Sequence, residues 1–432
     1  MKNSLVLLSL VVAAMDLLIS KELDFILVCV LLVVWRNWFI GAFDAFLINL
    51  PFLVLIIIGV MLGTHNGIRD LVRDLFIYSK NIIFFLGGLL LSKYVKNFNS
   101  FFKYFTIFAL ISSLVHLWNF AVNIKSAGSL EAIRQAAGYD NEAQAIAISI
   151  YVAGIFNKSF RSIIRYGSFF YKICIFFIGL SFLLYFSRTL VIIFFMVSLF
   201  LSDGIYIRKI FSKQNKAIFK VAVALTFFSY LIVFITSLQS SDSPLVRLVE
   251  KFENIPNEVT WNAKKNREAE LEDINDNWRG YEAYQGLLKF RKGNSFQKIF
   301  GFGFGEKVDL AISMKLAGKY YEKVPVLHNA YVTLLVKSGI LGIICYFLFF
   351  YQLGFRRVRD SFNDDTEIYS MYQLISGLCI ASLVNTFAMY GLLGETATIP
   401  LLFGFLWGSI KRRQQHLSNI TTHSITQKSL NA

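Results

Sequence analysis

Cysteine is scarce in this chain and poorly placed for any cross-link. The four cysteines, Cys29, Cys174, Cys345 and Cys379, all fall inside apolar runs, where a thiol behaves as a small hydrophobe rather than as a disulfide partner or metal ligand. No CxxC or HExxH spacing occurs, which argues against a structural zinc site and leaves no metal or other cofactor expected. GFGFG at 301–305 is not GxGxxG and follows no clear Rossmann strand, so nucleotide binding is not expected. Barrel-type alternation and internal repeats are missing, and the apolar runs are therefore read as helices. The first apolar run has only Lys2 before it and no clear small-residue cleavage site, so it is read as a span rather than a cleaved leader. Acidic residues are few, 28 against 43 Lys and Arg, for a net charge of +15. That balance could suggest nucleic acid, but its distribution speaks for membrane topology instead, and no nucleic-acid partner is expected.

What is abundant is apolar surface. Hydrophobic residues make up 56% of the chain and aromatic residues 16%, with a mean hydropathy of +0.55, far from a soluble domain. Runs such as LVLIIIGVML (53–62) and VIIFFMVSLF (191–200) exceed what a soluble core can hide. A run of roughly 20 mostly apolar residues crosses a bilayer as a helix. Spans are expected near 4–20, 22–35, 43–62, 81–95, 101–123, 142–157, 172–187, 188–203, 218–238, 326–354, 368–390 and 396–410. The fold class is an all-α polytopic membrane protein of about twelve transmembrane helices, with a large helical periplasmic loop between spans 9 and 10.

Basic clusters set the orientation. Lys158, Arg161, Arg165 and Lys172 flank one short connection, and Arg208, Lys209, Lys213, Lys216 and Lys220 flank another. Arg356, Arg357 and Arg359 follow the span after His328, and Lys411, Arg412 and Arg413 open the tail. Short loops rich in Lys and Arg stay cytoplasmic, and all four clusters then fall on one side, with both termini in the cytoplasm. The expected organisation is a membrane region over 1–238, a periplasmic helical loop over 239–325, a second membrane region over 326–410 and a cytoplasmic tail over 411–432. Within the loop, SDSPLVRLVEKF starts with a helix signal, Ser243 before Pro244. REAELEDINDNWRGYEAYQGLLKF reads as a second helix, acidic early and basic late. GFGFG breaks the chain, and EKVDLAISMKLAG is read as a third helix.

Chemistry-bearing residues collect on the side opposite the basic clusters. His328, in PVLHNAYVTLLVKSGILGI, stands at the mouth of an apolar run. An imidazole can take a proton from a hydroxyl and later release it, and Asn329 beside it can donate or accept. The plainer reading is an interfacial histidine that hydrogen-bonds a helix start. Arg188, in YFSRTLVII, interrupts an apolar stretch; it is either a functional group at membrane depth or a hairpin-tip residue reaching headgroups. Arg279, in DNWRGYEAYQG, is flanked by Trp278 and Tyr281. Arginine forms forked hydrogen bonds to phosphate oxygens, and the aromatic neighbours suit sugar faces or core packing equally, while Glu282 could pair with Arg279. Arg69 and Arg73, with His65, are placed in another outer loop and could add positive charge. Glu395, in GLLGETATIP, could orient His328 or bind a sugar hydroxyl. Asp16 and Asp44 are read as proton-coupling groups or as interfacial residues.

Taken in order, SRTL at 187–190, WRGYEAYQGLL at 278–288, FGFGFG at 300–305 and LHNAYVTLLVKSGILG at 327–342 resemble the O-antigen polymerase and O-antigen ligase superfamily. The first 140 residues resemble it in topology alone. The resemblance implies a metal-independent glycosyltransferase of the bacterial inner membrane that works at the periplasmic face on undecaprenyl-diphosphate-linked oligosaccharide. Carried over by position, His328 is the general base on the acceptor hydroxyl, while Arg188 and Arg279 bind the diphosphate. Asn329, Trp278, Tyr281, Glu395, Arg69 and Arg73 are candidate substrate-binding residues. The wording of WRGYEAYQ and VPVLHNAYVTLLVKSG is closer to polysaccharide polymerases than to ligases that transfer to lipid A-core. Lys337 departs from the pattern, standing where many relatives carry an acidic residue. Partners implied are the lipid-linked oligosaccharide and membrane lipids, with a chain-length regulator left open. A lipid-linked-oligosaccharide flippase is the rival of another class; it predicts paired halves or broken helices near the midplane.

Overall fold

The computed structural model describes residues 21–34, 42–95, 98–123, 142–157, 169–185, 187–201, 274, 277–316, 319–355, 365–394 and 397–430. Twelve helices and one hairpin run along them: α1 (Lys21–Val34), α2 (Ala42–Gly63), α3 (Ile68–Ser92), α4 (Phe98–Asn123), α5 (Glu142–Phe156), α6 (Phe169–Leu184), α7 (Arg188–Leu201), α8 (Trp278–Lys292), α9 (Ser295–Phe300), β1 (Val308–Leu316), β2 (Lys319–Val324), α10 (Ala330–Phe350), α11 (Thr366–Ala388) and α12 (Thr398–Leu430). Among the described residues five helices are long and apolar enough to cross a membrane: Phe43–Gly63, Ile68–Ser92, Phe98–Asn123, Ala330–Gly354 and Thr366–Phe387. Shorter apolar helices cover Phe25–Val34, Glu142–Ile155, Phe169–Leu184 and Thr189–Leu201. The fold is that of a helical, multi-pass membrane protein. The expected spans 4–20 and 218–238, the loop helix starting at Ser243, and Asp16 lie outside the described residues.

Side-chain contacts sort the helix ends into two opposite ends of the bundle. At one end, Lys411 pairs with Asp44 in the first turn of α2, and Arg413 pairs with Asp365 and Glu367 at the start of α11. Glu367 also accepts the Phe98 N–H that opens α4, at 2.7 Å. Arg412 donates to the Leu89 carbonyl and Ser92 hydroxyl where α3 ends, a cation on the negative end of a helix dipole. At the other end, the tip of α2, the start of α3, the start of α10 and the end of α11 converge, tied by Ala330 N–H to the Met389 carbonyl (3.3 Å) and Phe304 N–H to the Gly59 carbonyl (2.7 Å).

Two elements differ from the sequence reading. The third loop helix expected over 306–318 is instead the antiparallel hairpin β1–β2. Its sequence alternates, and Val308, Leu310 and Met314 are buried beside Tyr281, Leu327 and Val332 in a small second core, the period of a half-buried strand. α3 also begins at Ile68, so Arg69 and Arg73 sit on its first turns and not in a loop. Charge in those turns is tolerated because it is paired: Arg73 with Asp70 (2.9 Å) and Lys307 with Asp70 (2.6 Å), while Asp74 is met by Lys337 at 2.5 Å.

Candidate functional site

The Gly-rich loop is the keystone that positions the site. Phe302 N–H donates to the Val336 carbonyl (2.8 Å) and Gly303 N–H to the Lys337 carbonyl (3.0 Å). These carbonyls are available because α10 kinks at Gly339, φ 64 and ψ −160. A side chain at Gly339 would be strained in that left-handed region and would run into the Ile299 carbonyl. Gly303, at φ 88, brings its backbone against Leu62 and Gly63 at the tip of α2. Phe304 is thereby buried against α2 and packs on Tyr78 of α3, centroids 4.6 Å apart. Asp74 completes the lock: it accepts Gly305 N–H at 2.7 Å and the Lys337 ammonium, which also donates to the Glu306 carbonyl. Lys337, puzzling in isolation, is the partner of a buried carboxylate on another helix.

The turn before α10 is equally fixed. Asn329 caps the helix, its side chain accepting Val332 N–H at 3.3 Å, as an N-cap asparagine does. Thr333 Oγ1 accepts Leu327 N–H (3.1 Å) and donates back to its carbonyl (3.2 Å). His328 is therefore presented by a closed turn and not by a mobile loop. α8 lies directly against this turn; Gly286 leaves room for Leu327 and Val332. Its buried face carries Gly280, Tyr281, Glu282, Gln285 and Gly286.

Glu282 points its carboxylate at His328. Oε2 lies 2.6 Å from His328 Nδ1 and accepts the His328 backbone N–H at 3.3 Å. An ionised carboxylate is acceptor-only, so Nδ1 carries the proton and Nε2 is the basic nitrogen. The imidazole also stacks on Tyr390, centroids 5.2 Å apart and planes at 29°. Its side chain is 28% exposed against 3% for Glu282, so the ring is the part of the pair that substrate can reach. From sequence, Glu282 is a possible partner of Arg279, and Glu395 a group that orients His328 or binds a sugar hydroxyl. Glu395 lies outside the described residues; the carboxylate that meets the ring among the described residues is Glu282. Helical spacing put Glu282 one turn from Arg279 on the same helix and gave no signal for His328, 46 residues away.

The other expected residues fall as follows. Arg279 is half-buried in the first turn of α8. Trp278 stacks on Tyr281 at 6.1 Å, and Tyr281 is in the small core, donating its hydroxyl to the Leu310 carbonyl. Burial pushes the Tyr281 phenol up, so it remains a donor. Arg188 opens α7, and its level follows from neighbouring contacts. α4 and α6 run parallel, with Phe102 stacked on Tyr171 and His116 bonded to Ser181 at 2.9 Å. Ser181, near the end of α6, donates to Gln144, near the start of α5, at 3.1 Å. α5 runs parallel to α7, since Ser149 donates to the Phe194 carbonyl (3.1 Å) and Asn157 to the Leu201 carbonyl (2.9 Å). Because α4 starts at the Arg413 end, α7 starts at the opposite end, and Arg188 shares the end of the bundle that holds His328. Arg69 is exposed at that same end, while Arg73 is engaged by Asp70 and Asp74. Asp44 sits at the far end on Lys411. Among the described residues no cluster of His, Cys, Asp or Glu is arranged to hold a metal ion.

Residues 173–347 match a family model described as O-antigen ligase. The matched stretch takes in most of α6, α7 to α9, the hairpin and most of α10, and so contains Arg188, Arg279, Glu282 and His328. It supports the O-antigen polymerase and ligase superfamily. No curated protein matches the chain.

Proposed function

We propose that the chain polymerises surface polysaccharide by glycosyl transfer from undecaprenyl-diphosphate-linked repeat units, at the periplasmic face of the bacterial inner membrane. One observation carries the reading: a reachable imidazole, its Nδ1 held by a buried carboxylate, stands within the matched stretch and at the same end of the bundle as Arg188. The donor is already activated by its diphosphate, and the chemistry left to the protein is proton removal from a weak sugar hydroxyl and neutralisation of the leaving group. His328 takes the proton. Arg279 and Arg188 supply fixed positive charge for the diphosphate, which is worth most where water is scarce. The end bearing Lys411, Arg412 and Arg413 faces the cytoplasm under the positive-inside rule. The module over 278–324 is then periplasmic, with both termini cytoplasmic. Asn329, Trp278, Tyr281, Glu395 and Arg69 are assigned to substrate contact or its immediate support.

The description of the matched family model favours a second reading, transfer of finished polymer to lipid A-core. Deleting the gene separates the two. Lipid A-core bearing a single repeat on a lipopolysaccharide gel is the expected result. Bare core beside surviving lipid-linked polymer assigns the chain as a ligase, and an unchanged ladder removes O-antigen from the account. At the residue level, Arg279→Lys lowers turnover by about 10-fold or more, because an ammonium cannot reproduce the two-pronged contact of a guanidinium with phosphate. Wild-type turnover in that variant, at equal protein level, assigns Arg279 to packing.

A further inference from the structure

The geometry points to Glu282 as the positioning residue for His328, fixing the tautomer that leaves Nε2 as the base; this inference rests on the glycosyl-transfer reading above. A glutamate whose side chain is 3% exposed is costly to bury unless donors satisfy its carboxylate. Both donors that meet Glu282 Oε2 belong to His328: the backbone N–H at 3.3 Å and the ring Nδ1 at 2.6 Å. The two contacts constrain the ring relative to its own backbone, and Tyr390 braces one face. The support is rigid, because Glu282 belongs to the buried face of α8, which is clamped onto the Leu327–Val332 turn at Gly286.

In the reaction, the acceptor O–H proton moves to Nε2 while the oxygen forms a bond to the anomeric carbon of the donor. The anomeric carbon–oxygen bond to the diphosphate breaks, and its electron pair leaves with the diphosphate. The imidazolium formed at that moment faces an ionised carboxylate across 2.6 Å, and it then releases the Nε2 proton to water or to the diphosphate product. Glu282 exchanges no proton in this sequence and touches no substrate. Its contribution falls on the base, which it holds in place before transfer and faces once the ring is charged, so it acts on turnover and not on substrate affinity.

The test uses the full chain in membranes of the deletion strain, with the lipid-diphosphate-linked repeat extracted from that strain as substrate. Initial rates against substrate concentration give kcat and KM for wild type, Glu282→Gln, Glu282→Ala, His328→Ala and the double variant Glu282→Ala/His328→Ala, at matched protein levels. Glu282→Gln keeps an acceptor oxygen without its charge, and Glu282→Ala removes both. The expected result is a fall in kcat of about 10- to 100-fold with KM unchanged, the alanine variant being the worse of the two. The double variant is expected to be no slower than His328→Ala. Wild-type kcat in both Glu282 variants beside an inactive His328→Ala overturns the positioning role while leaving the base intact. A loss confined to KM, or a double variant clearly slower than His328→Ala, overturns it too, because Glu282 then acts independently of the imidazole. Full turnover in His328→Ala defeats the base assignment itself, and the Glu282 inference with it.

Discussion

His328→Ala abolishes polymer formation while the protein accumulates and inserts as wild type does. A positioned general base contributes about 10²–10⁴-fold, equivalent to roughly 3–5 kcal/mol of barrier, and a loss of that size empties the ladder above a single repeat. The ring is partly exposed, so its removal forfeits little packing, but it leaves the Glu282 carboxylate short of one donor. His328→Asn separates the two effects. The asparagine amide nitrogen reaches the place of Nδ1 and can donate to Glu282, yet it cannot accept a proton at pH 7. Both variants are expected to be inactive, and His328→Asn is the better accumulated of the two. A full-length ladder from either one, on a gel loaded at matched protein level, removes His328 from the chemistry.

Lys337→Met or Asp74→Ala is the second large effect, and it falls on the fold first. The pair lies on α10 and α3, each side chain 2% exposed. Deleting Asp74 leaves the Lys337 ammonium as an uncompensated buried charge, which costs about 3–5 kcal/mol; Lys337→Met costs less, because Arg73 still meets Asp74 at 3.5 Å. The pair does more than neutralise itself. Asp74 holds Gly305 N–H, and Lys337 holds the Glu306 carbonyl, so the Gly-rich loop is pinned between the two helices. Losing the pin frees the loop that buttresses α8 and α10, and with it the registration of Glu282 against His328. The expected outcome is a lower apparent unfolding midpoint in detergent, together with lost polymerisation, although neither residue touches substrate. The double variant Lys337→Met/Asp74→Leu recovers part of the midpoint because no lone charge remains, but the loop N–H and carbonyl stay unsatisfied. Single variants as stable and as active as wild type defeat this account of the loop.

The sequence by itself determined that the chain is a helical membrane protein. Apolar runs of spanning length leave the backbone no other way to satisfy its hydrogen bonds in lipid, and α2, α4, α10 and α11 fall close to where those runs place them. It also placed the polar pair His328 and Asn329 at the mouth of the apolar run that becomes α10, while the capping role of Asn329 came only with the helix start. The hairpin was legible in the alternation of VDLAISMKL, and the helical reading missed it because its apolar positions were counted at the wrong period. Lys337 and Asp74 could not have been matched from sequence: they are 263 residues apart, and charge pairing at that separation leaves no periodic trace. The same holds for Glu282 and His328, 46 residues apart. Local patterns fix which segments are helices and how they begin, because those choices depend on neighbours along the chain. Which carboxylate meets which cation or imidazole is decided only when the helices pack, because hydrogen bonds and buried charges are satisfied in space, and here that packing is set by the Gly-rich loop wedged between α2 and the kink of α10.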